Sequence, residues 1–362
     1  MKKNFRNHLF SYIKKKIDEK KTGVFLSFAS FFYRKLIFLR NLFYEKKIFA
    51  QKKASCPVIS IGNITCGGTG KTPVTLLLSE ILIGNGIKTA IASRGYRSKS
   101  ESKTVIGAQG KGPLFPPEII GDEPYLLAKR CPKILLGVGK NRFKSCVKLL
   151  SKGAQIILLD DGMQHRKLYR DLEVVVLHGN RLDLKKEHYL PKGFLRDEPK
   201  RLKEADLILV NHANKNDFTR ILDSIRVYSN APVCVIEALK EGIYSLDNSQ
   251  KYSIENTPVG VFCAVAEPEP FFKQIEEKKA KIVNRLVLPD HEGILDKDLQ
   301  KFAKSCKRAG AKLLVCTEKD AVKIKTCDLC LPVAYERISI NISHGKENWE
   351  KLIDKAINLI SE

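Results

Sequence analysis

The chain has 362 residues, of which 43% are hydrophobic and 29% charged, and its formal net charge is +24. This balance is that of an ordinary soluble protein, and the length fits two domains better than one large core. Ten cysteines occur without repeated spacing, and the single C-x-x-C, Cys327 to Cys330, has no second pair, so the pattern argues against a zinc site and favours reduced thiols.

The first predicted element is a basic, amphipathic N-terminal segment. Residues 1–53 contain 15 Lys and Arg against 3 Asp and Glu, which accounts for half of the net charge. Within this segment, apolar residues recur at helical spacing: Phe28, Phe32, Leu36, Leu39 and Phe43. The longest uncharged run, Thr22 to Tyr33, is shorter than the roughly 20 residues that a membrane span needs. We therefore predict an interfacial helix on a membrane surface rather than a span or a signal peptide. The alternative is a helix packed on the protein's own core.

The stretch from Val58 to Pro73 reads V-I-S-I-G-N-I-T-C-G-G-T-G-K-T-P. A β-branched run precedes the glycines and an apolar run follows them, which predicts a strand, a phosphate-binding loop and a helix. Lys71 supplies a charge near the β- and γ-phosphates, and Thr72 offers a hydroxyl to Mg²⁺. Thr65 stands where the usual P-loop spacing has glycine, so the sequence predicts a variant P-loop. The predicted nucleotide-binding residues are Thr65, Cys66, Gly67, Gly68, Thr69, Gly70, Lys71 and Thr72.

Predicted strands and helices alternate after this loop, and a polar loop is expected at about Ser98 to Pro117. The predicted fold class is α/β, a P-loop kinase-type, mostly parallel sheet flanked by helices, with a second, smaller α/β domain and the N-terminal amphipathic helix. The expected divisions are a membrane-associated segment (1–53), a P-loop kinase domain (54–215) and a C-terminal α/β domain (216–362). The ligand site of such a sheet lies at the carboxyl ends of its strands.

Two pairs of acidic residues are candidates for chemistry. Asp160 and Asp161 follow the apolar run I-I-L-L, where a carboxylate can hold Mg²⁺ beside a P-loop, although Asp-Asp-Gly can also be a plain turn. Asp122 and Glu123 stand at a predicted helix start, which favours carboxylates for electrostatic reasons alone. In a kinase, Asp122 would accept the proton of the attacking hydroxyl, and Glu123 would help with the metal or with positioning.

Other polar residues have weaker signals. Arg94, Arg97 and Arg142 can neutralise phosphate charge, and surface solvation is the alternative for each. His291, in the motif L-P-D-H, can orient a carboxylate base, whereas a lone histidine is more often structural.

Taken together, the motifs G-N-I-T-C-G-G-T-G-K-T-P, S-R-G-Y-R, G-D-E-P, D-D-G-M-Q-H, L-P-D-H and T-E-K-D (Thr317 to Asp320) resemble those of the tetraacyldisaccharide 4′-kinase family. The resemblance covers nearly the whole chain. It implies phosphorylation, dependent on ATP and Mg²⁺, of the 4′-hydroxyl of a tetraacylated glucosamine disaccharide 1-phosphate in lipid A biosynthesis. It also implies a location at the cytoplasmic face of the inner membrane.

Residue by residue, the resemblance implies catalytic roles for Asp122, His291 and Lys71. It implies metal-linked roles for Thr72, Glu123, Asp160 and Asp161. The threonine at position 65 belongs to the family's own loop.

The chain departs from the family pattern at three places. Met163 stands where Phe or Leu is usual, and Ala264 where glycine is common. The stretch L-P-K-G-F-L-R-D, Leu190 to Asp197, replaces the more usual P-A-G-P-L-R-E. None of these changes removes a proposed catalytic group.

Two other classes of protein remain as alternatives. One is a membrane-associated P-loop NTPase without a lipid substrate, since T-E-K-D superficially resembles a guanine-binding motif. The other is a basic nucleic-acid-binding protein, but an aromatic apolar face suits a bilayer better than a phosphate backbone. We expect a monomer that binds a membrane surface and an acylated disaccharide 1-phosphate, and no nucleic acid.

Overall fold

The computed structural model describes residues 23–96, 98–213, 218–247, 249–265, 268–288, 296–324 and 329–361. Their helices are α1 (Val24–Glu45), α2 (Lys71–Gly84), α3 (Pro117–Ile120), α4 (Asp122–Arg130), α5 (Arg142–Leu150), α6 (Phe218–Arg226), α7 (Glu269–Glu277), α8 (Asp296–Arg308), α9 (Glu318–Ala321) and α10 (Lys346–Ser361). Two short 3₁₀ helices occupy Gly179–Arg181 and Pro199–Glu204.

The strands are β1 (Val58–Gly62), β2 (Thr89–Ser93), β3 (Val105–Gln109), β4 (Leu135–Val138), β5 (Ile156–Asp160), β6 (Leu172–His178), β7 (Leu207–Asn211), β8 (Val233–Ser245), β9 (Lys251–Tyr252), β10 (Pro258–Cys263), β11 (Lys281–Val287), β12 (Leu313–Thr317) and β13 (Val333–His344). They form one sheet in the order β11-β10-β12-β13-β8-β7-β6-β1-β5-β2-β4-β3, and β9 pairs with β8. The α/β fold class and its mostly parallel sheet are confirmed.

Two parallel groups of strands make up this sheet. The first group is β4, β2, β5, β1, β6, β7 and the start of β8, with β3 antiparallel at its edge. The second group is β11, β10, β12 and the start of β13. An antiparallel ribbon of β8 and β13 joins the groups, so their strands run in opposite directions.

The register of the ribbon determines how the two groups face each other. Strand β7 pairs with β8 at Val233 to Ile236, near one end of the ribbon. Strand β12 pairs with β13 at Val333 to Glu336, near the other end, where Ala334 lies opposite Ser245. Because the groups attach at opposite ends and run in opposite directions, the carboxyl ends of both point into the gap between them. A site in that gap receives residues from both groups.

The core continues across the ribbon. Trp349, Leu352 and Ala356 of the C-terminal helix α10 belong to the same buried cluster as Leu82 of α2 and Leu209 of β7. The division of the chain at residue 215 therefore stays a prediction, because the last helix packs against the first strand group.

The polar loop expected at about Ser98 to Pro117 is only partly right. Strand β3 lies inside it and pairs antiparallel with β4, and its Ala108 is fully buried. Polar and glycine residues on both sides of this short edge strand conceal its signal in the sequence.

Helix α1 shows an unusual distribution of polarity. The predicted apolar stripe is largely exposed, with Phe28 61% and Leu36 66% exposed, whereas Ser30 and Asn41 are buried. Within the described residues, no helix has both the length and the hydropathy that a membrane crossing requires.

Candidate active site

The P-loop lies between β1 and α2, at the carboxyl end of β1. Gly67 and Gly70 have φ values of 116° and 96°, a region that glycine adopts more readily than other residues. A Cβ atom at position 70 would lie 2.5 Å from Nδ2 of Asn211. That amide, at the end of β7, donates a hydrogen bond to the carbonyl oxygen of Thr69 at 3.1 Å. Residues 65–70 thus form a loop that leads into α2, and Lys71 and Thr72 are the first residues of that helix. A glycine-rich loop at a helix N-terminus is a geometry that suits phosphate.

Lys71, Asp161 and Arg196 form a chain of charges beside this turn. The Nζ atom of Lys71 lies 3.5 Å from Oδ1 of Asp161. Both terminal guanidinium nitrogens of Arg196 donate to the Asp161 carboxylate. Burial opposes ionisation of Asp161, but the charges of Arg196 and Lys71 outweigh it and hold its pKa well below the ordinary value. Asp161 is therefore a fixed anion that holds the P-loop lysine.

Asp160, its neighbour, is in a different electrostatic state. It ends β5 and is only 3% exposed. Burial, followed by repulsion from Glu123 and Asp161, raises the pKa of Asp160 to about 7. Its Oδ2 atom accepts a hydrogen bond from the Ser93 hydroxyl at 3.3 Å. Neighbouring carboxylates whose pKa values are shifted in opposite directions are typical of sites that bind a cation or transfer a proton.

Asp122 and Glu123 begin α4 and face lysines of the second strand group. Oδ2 of Asp122 lies 3.4 Å from Nζ of Lys323, and Oε1 of Glu123 lies 2.6 Å from Nζ of Lys319. At the other end of α4, Arg130 donates to Glu318 at 3.0 Å. The T-E-K-D motif therefore contacts the G-D-E-P motif across the gap.

Glycines bring two further motifs together. Gly121 precedes Asp122 and has a φ of 97°, and a Cβ atom there would lie 3.2 Å from Cα of Gly95. The S-R-G-Y-R segment after β2 and the G-D-E-P segment thus touch through their main chains. This contact fixes the start of α4, and with it the side chains of Asp122 and Glu123.

The D-D-G-M-Q-H motif also contains a histidine, His165, whose surroundings are positively charged. Burial, together with the positive charges of Arg142 and Arg170, lowers the pKa of His165 to about 4. The imidazole is therefore neutral at physiological pH.

The outcome for the other candidates is mixed. Arg142 is buried and donates to the carbonyl oxygen of Asp160 at 3.3 Å, whereas Arg94 pairs with Glu101 at 2.8 Å. Arg97, His291 and Cys327 lie outside the described residues. In the part of the chain that the structure describes, no group of three or more His, Cys, Asp or Glu side chains is arranged to hold a metal ion.

Three contributors to the site were not predicted: Arg196, Lys323 and Asn211. Arg196 belongs to the stretch L-P-K-G-F-L-R-D, and Lys323 follows the T-E-K-D motif, so both lie in or beside segments that the sequence had singled out. Their partners lie far away in sequence, and only the sheet order brings them together.

Comparison with known proteins gave concordant results. The model of the family described as tetraacyldisaccharide-1-P 4′-kinase matches residues 22–358. The tetraacyldisaccharide 4′-kinase of Syntrophus aciditrophicus is 33% identical over 351 residues, 93% of each chain. That of Chlamydia caviae is 36% identical over 321 residues, 86% of each chain. A crystal structure of "apo" form LpxK from Aquifex aeolicus in complex with ATP has a TM-score of 0.73 and 26% identity, covering 90% of this chain and 96% of the other.

Proposed function

Because the chain belongs to the tetraacyldisaccharide-1-P 4′-kinase family, it is an ATP-dependent kinase of lipid A biosynthesis, and we propose how its residues divide the work. The enzyme phosphorylates the 4′-hydroxyl of a tetraacyldisaccharide 1-phosphate. The observation that supports the assignment of roles is electrostatic contact between the motifs: the charge of Glu123, the neighbour of Asp122, acts on Asp160, and Asp161 lies 3.5 Å from Lys71 of the P-loop. Family membership favours this activity over that of an NTPase without a lipid substrate.

The P-loop residues 65–72 bind the triphosphate of ATP. Backbone N–H groups of the turn surround the phosphate oxygens, and Lys71 exchanges its contact with Asp161 for the β- and γ-phosphates. The ATP complex of the Aquifex aeolicus relative supports this assignment. Arg196 keeps Asp161 in place while the lysine moves.

Thr72, Glu123, Asp160 and Asp161 are the residues that would hold a magnesium ion. Burial first, and then the charges of Glu123 and Asp161, raise the pKa of Asp160, and a divalent cation would relieve the repulsion between these carboxylates. Mg²⁺ commonly uses one or two carboxylates and completes its shell with phosphate and water, so a preformed cage of three side chains is not required. When bound, the ion would neutralise charge on the transferring phosphoryl group.

Asp122 is the proposed general base. It lies at the carboxyl edge of the sheet, 31% exposed and turned into the gap, where an acceptor sugar would enter. Its carboxylate would take the proton of the 4′-hydroxyl as that oxygen attacks the γ-phosphate. On the family resemblance, His291 would orient this base.

We infer that the protein works at the cytoplasmic face of the inner membrane, and the exposed apolar side chains of α1 support attachment to a membrane surface. Val24, Phe25, Phe28 and Leu36 are between 61% and 89% exposed and would enter the acyl region, while Arg34 and Lys35 would meet anionic headgroups. A tetraacylated substrate stays in the bilayer, so a monotopic or peripheral enzyme must work at that surface. We expect a monomer there, without a nucleic acid partner.

Transfer of radiolabelled γ-phosphate from ATP to the tetraacyldisaccharide 1-phosphate in detergent micelles tests this function. We expect a lipid product labelled at the 4′ position, and labelling that is slower by about 10²- to 10⁴-fold with an Asp122→Asn variant. ATP hydrolysis that neither needs nor labels the lipid would refute the proposal and favour the NTPase alternative.

A further inference from the structure

Helix α1 contacts the rest of the protein through a largely polar face that contains one apolar residue, Ile37. Its buried residues include Ser30 and Asn41, and Tyr33 and Arg40 lie beside them. Residues 30, 33, 37 and 41 recur at helical spacing, so they share one side of the helix. A face that only supported the helix would normally be apolar, so these polar contacts call for another explanation.

The polar residues of α1 form hydrogen bonds with one chain segment, residues 188–198, which is here called the strap. Ser30 Oγ donates to the carbonyl oxygen of Tyr189 at 2.7 Å, and Tyr33 Oη donates to that of Arg196 at 3.1 Å. Asn41 Nδ2 donates to Oδ1 of Asp197 at 3.0 Å. These bonds join residues more than 150 positions apart in the chain.

The strap also forms backbone hydrogen bonds with the P-loop segment. The N–H of Cys66 donates to the carbonyl oxygen of Phe194 at 2.7 Å, and Thr65 forms an isolated antiparallel β-bridge with Leu195. The N–H of Arg196 donates to the carbonyl oxygen of Ile64 at 2.9 Å. The strap therefore lies between α1 and the loop that binds phosphate.

Asp197 is the point where the contacts of α1 converge. It is fully buried and accepts from Arg40 at 2.9 Å, Arg201 at 2.8 Å and Asn41. Burial would raise its pKa, but the charges of Arg201 and Arg40 lower it, so Asp197 is an anion. The residue before it is Arg196, which holds Asp161. Helix α1 is thus connected to Asp161, the partner of the P-loop residue Lys71, through two residues of the strap, Asp197 and Arg196.

We propose that Asn41 and Asp197 are positioning residues, through which α1 sets the position of Arg196, and with it Asp161 and Lys71. The inference rests on the proposed role of the P-loop in binding ATP, and it does not depend on a bilayer. Loosening α1 from the strap leaves the anion of Asp197 with fewer donors, and the strap shifts at the two residues that hold the loop. Binding of ATP then weakens although no residue that touches it has changed.

The experiment compares Asn41→Ala with Phe38→Ala, a 48% exposed residue of the same helix, in detergent micelles. Direct binding of ATP in the absence of lipid is measured first, at a temperature well below both unfolding midpoints. We expect Asn41→Ala to weaken ATP binding about tenfold, as loss of a hydrogen bond to a charged group does, and Phe38→Ala to leave it within about twofold.

Kinetics and a conservative variant distinguish positioning from simple support. Asn41→Ala should raise KM for ATP more than it lowers kcat, and Asn41→Gln, which keeps the amide, should recover most of the affinity. Unchanged ATP binding in a folded Asn41→Ala protein would overturn the inference. So would equal losses in Asn41→Ala and Asn41→Gln together with a lowered unfolding midpoint, because that result describes a structural role only. Wild-type protein that binds ATP without phosphorylating the lipid would refute the function and leave this comparison of affinities intact.

Discussion

Nζ of Lys323, which follows α9, lies 3.4 Å from Oδ2 of Asp122, the first residue of α4. The two side chains come from opposite strand groups, and the lysine is only 12% exposed. Lys323 also lies 3.9 Å from Oδ1 of Asp320, so it balances two carboxylates. The proposed base is therefore held by a residue from across the gap.

Replacing Lys323 by methionine should lower kcat about tenfold or more, because Asp122 loses the charge that fixes its carboxylate. Lys319→Met is the matched control. Its ion pair with Glu123 is 45% and 38% exposed, so water screens it and the effect on kcat should be smaller. Steady-state rates in micelles with saturating ATP measure both. Equal rates for wild type and Lys323→Met would refute the positioning role.

Asp122→Asn should reduce phosphoryl transfer by about 10²- to 10⁴-fold, the range typical of a lost general base. The amide keeps the size of the side chain, so ATP affinity should stay within about twofold. Rapid-quench measurement of lipid phosphorylation and direct ATP binding separate the two effects. Wild-type turnover in this variant would exclude Asp122 as the base.

Asp160→Asn should remove the increase in the unfolding midpoint that Mg²⁺ gives to the wild-type protein. In the wild type, Mg²⁺ with ATP should raise the unfolding midpoint, because a ligand that binds only the native state stabilises it. In the variant, EDTA and Mg²⁺ should give midpoints that differ little, since the buried carboxylate is lost. Ser93→Ala removes only the hydroxyl that donates to Asp160, so it should keep most of the Mg²⁺ response. The proposed metal role fails if the Asp160→Asn midpoint still rises as in the wild type.

His165 should make the protein less stable as the pH falls from about 6.5 to about 4. The native state holds the pKa of this imidazole at about 4, below the value of 6.5 expected for an unfolded chain. In that window the unfolded state binds more protons, so the free energy of unfolding drops with falling pH, by about 1–2 kcal/mol for this partly exposed group. His165→Gln should flatten the profile between those limits in urea titrations. His188→Gln provides the control, and an unchanged slope in His165→Gln would contradict the assignment.

The double variant Phe25→Ser and Phe28→Ser should weaken binding to anionic vesicles by about tenfold or more, because two exposed aromatic side chains no longer enter the acyl region. Val227→Ser, an exposed apolar residue outside α1, should leave vesicle binding unchanged. Sedimentation with vesicles measures the bound fraction. Equal binding of the double variant and the wild type would place the membrane contact elsewhere.

The sequence predicted the elements whose signals are local. The P-loop, Asp160 at the end of a buried strand and the helix that starts at Asp122 follow from short runs of residues. Strand β8 was recognised only as Val233 to Ile236, because the rest of it contains Glu237, Lys240 and Glu241 in a partly exposed ribbon. Such a ribbon lacks the continuous apolar run of a buried strand.

Residues joined only by the topology were beyond reach of the sequence. Arg196 and Asp161 are 35 positions apart, and Lys319 and Glu123 are 196 apart. No periodicity links such pairs, since their contact depends on the order and direction of strands. The apolar stripe of α1 was recognised correctly, but the polar residues between its members, which hold the strap, carried no separate signal.

The ribbon of β8 and β13 has a mechanical consequence. A pair of strands twists more easily than a wide sheet with helices on its faces, and this pair carries a register shift near Gly242. A small rotation there would move the two strand groups relative to each other, with the largest displacement at the strands farthest from the ribbon. The distance of 3.4 Å between Asp122 and Lys323 would change with such a rotation, so a spectroscopic distance measurement between the two strand groups would detect it.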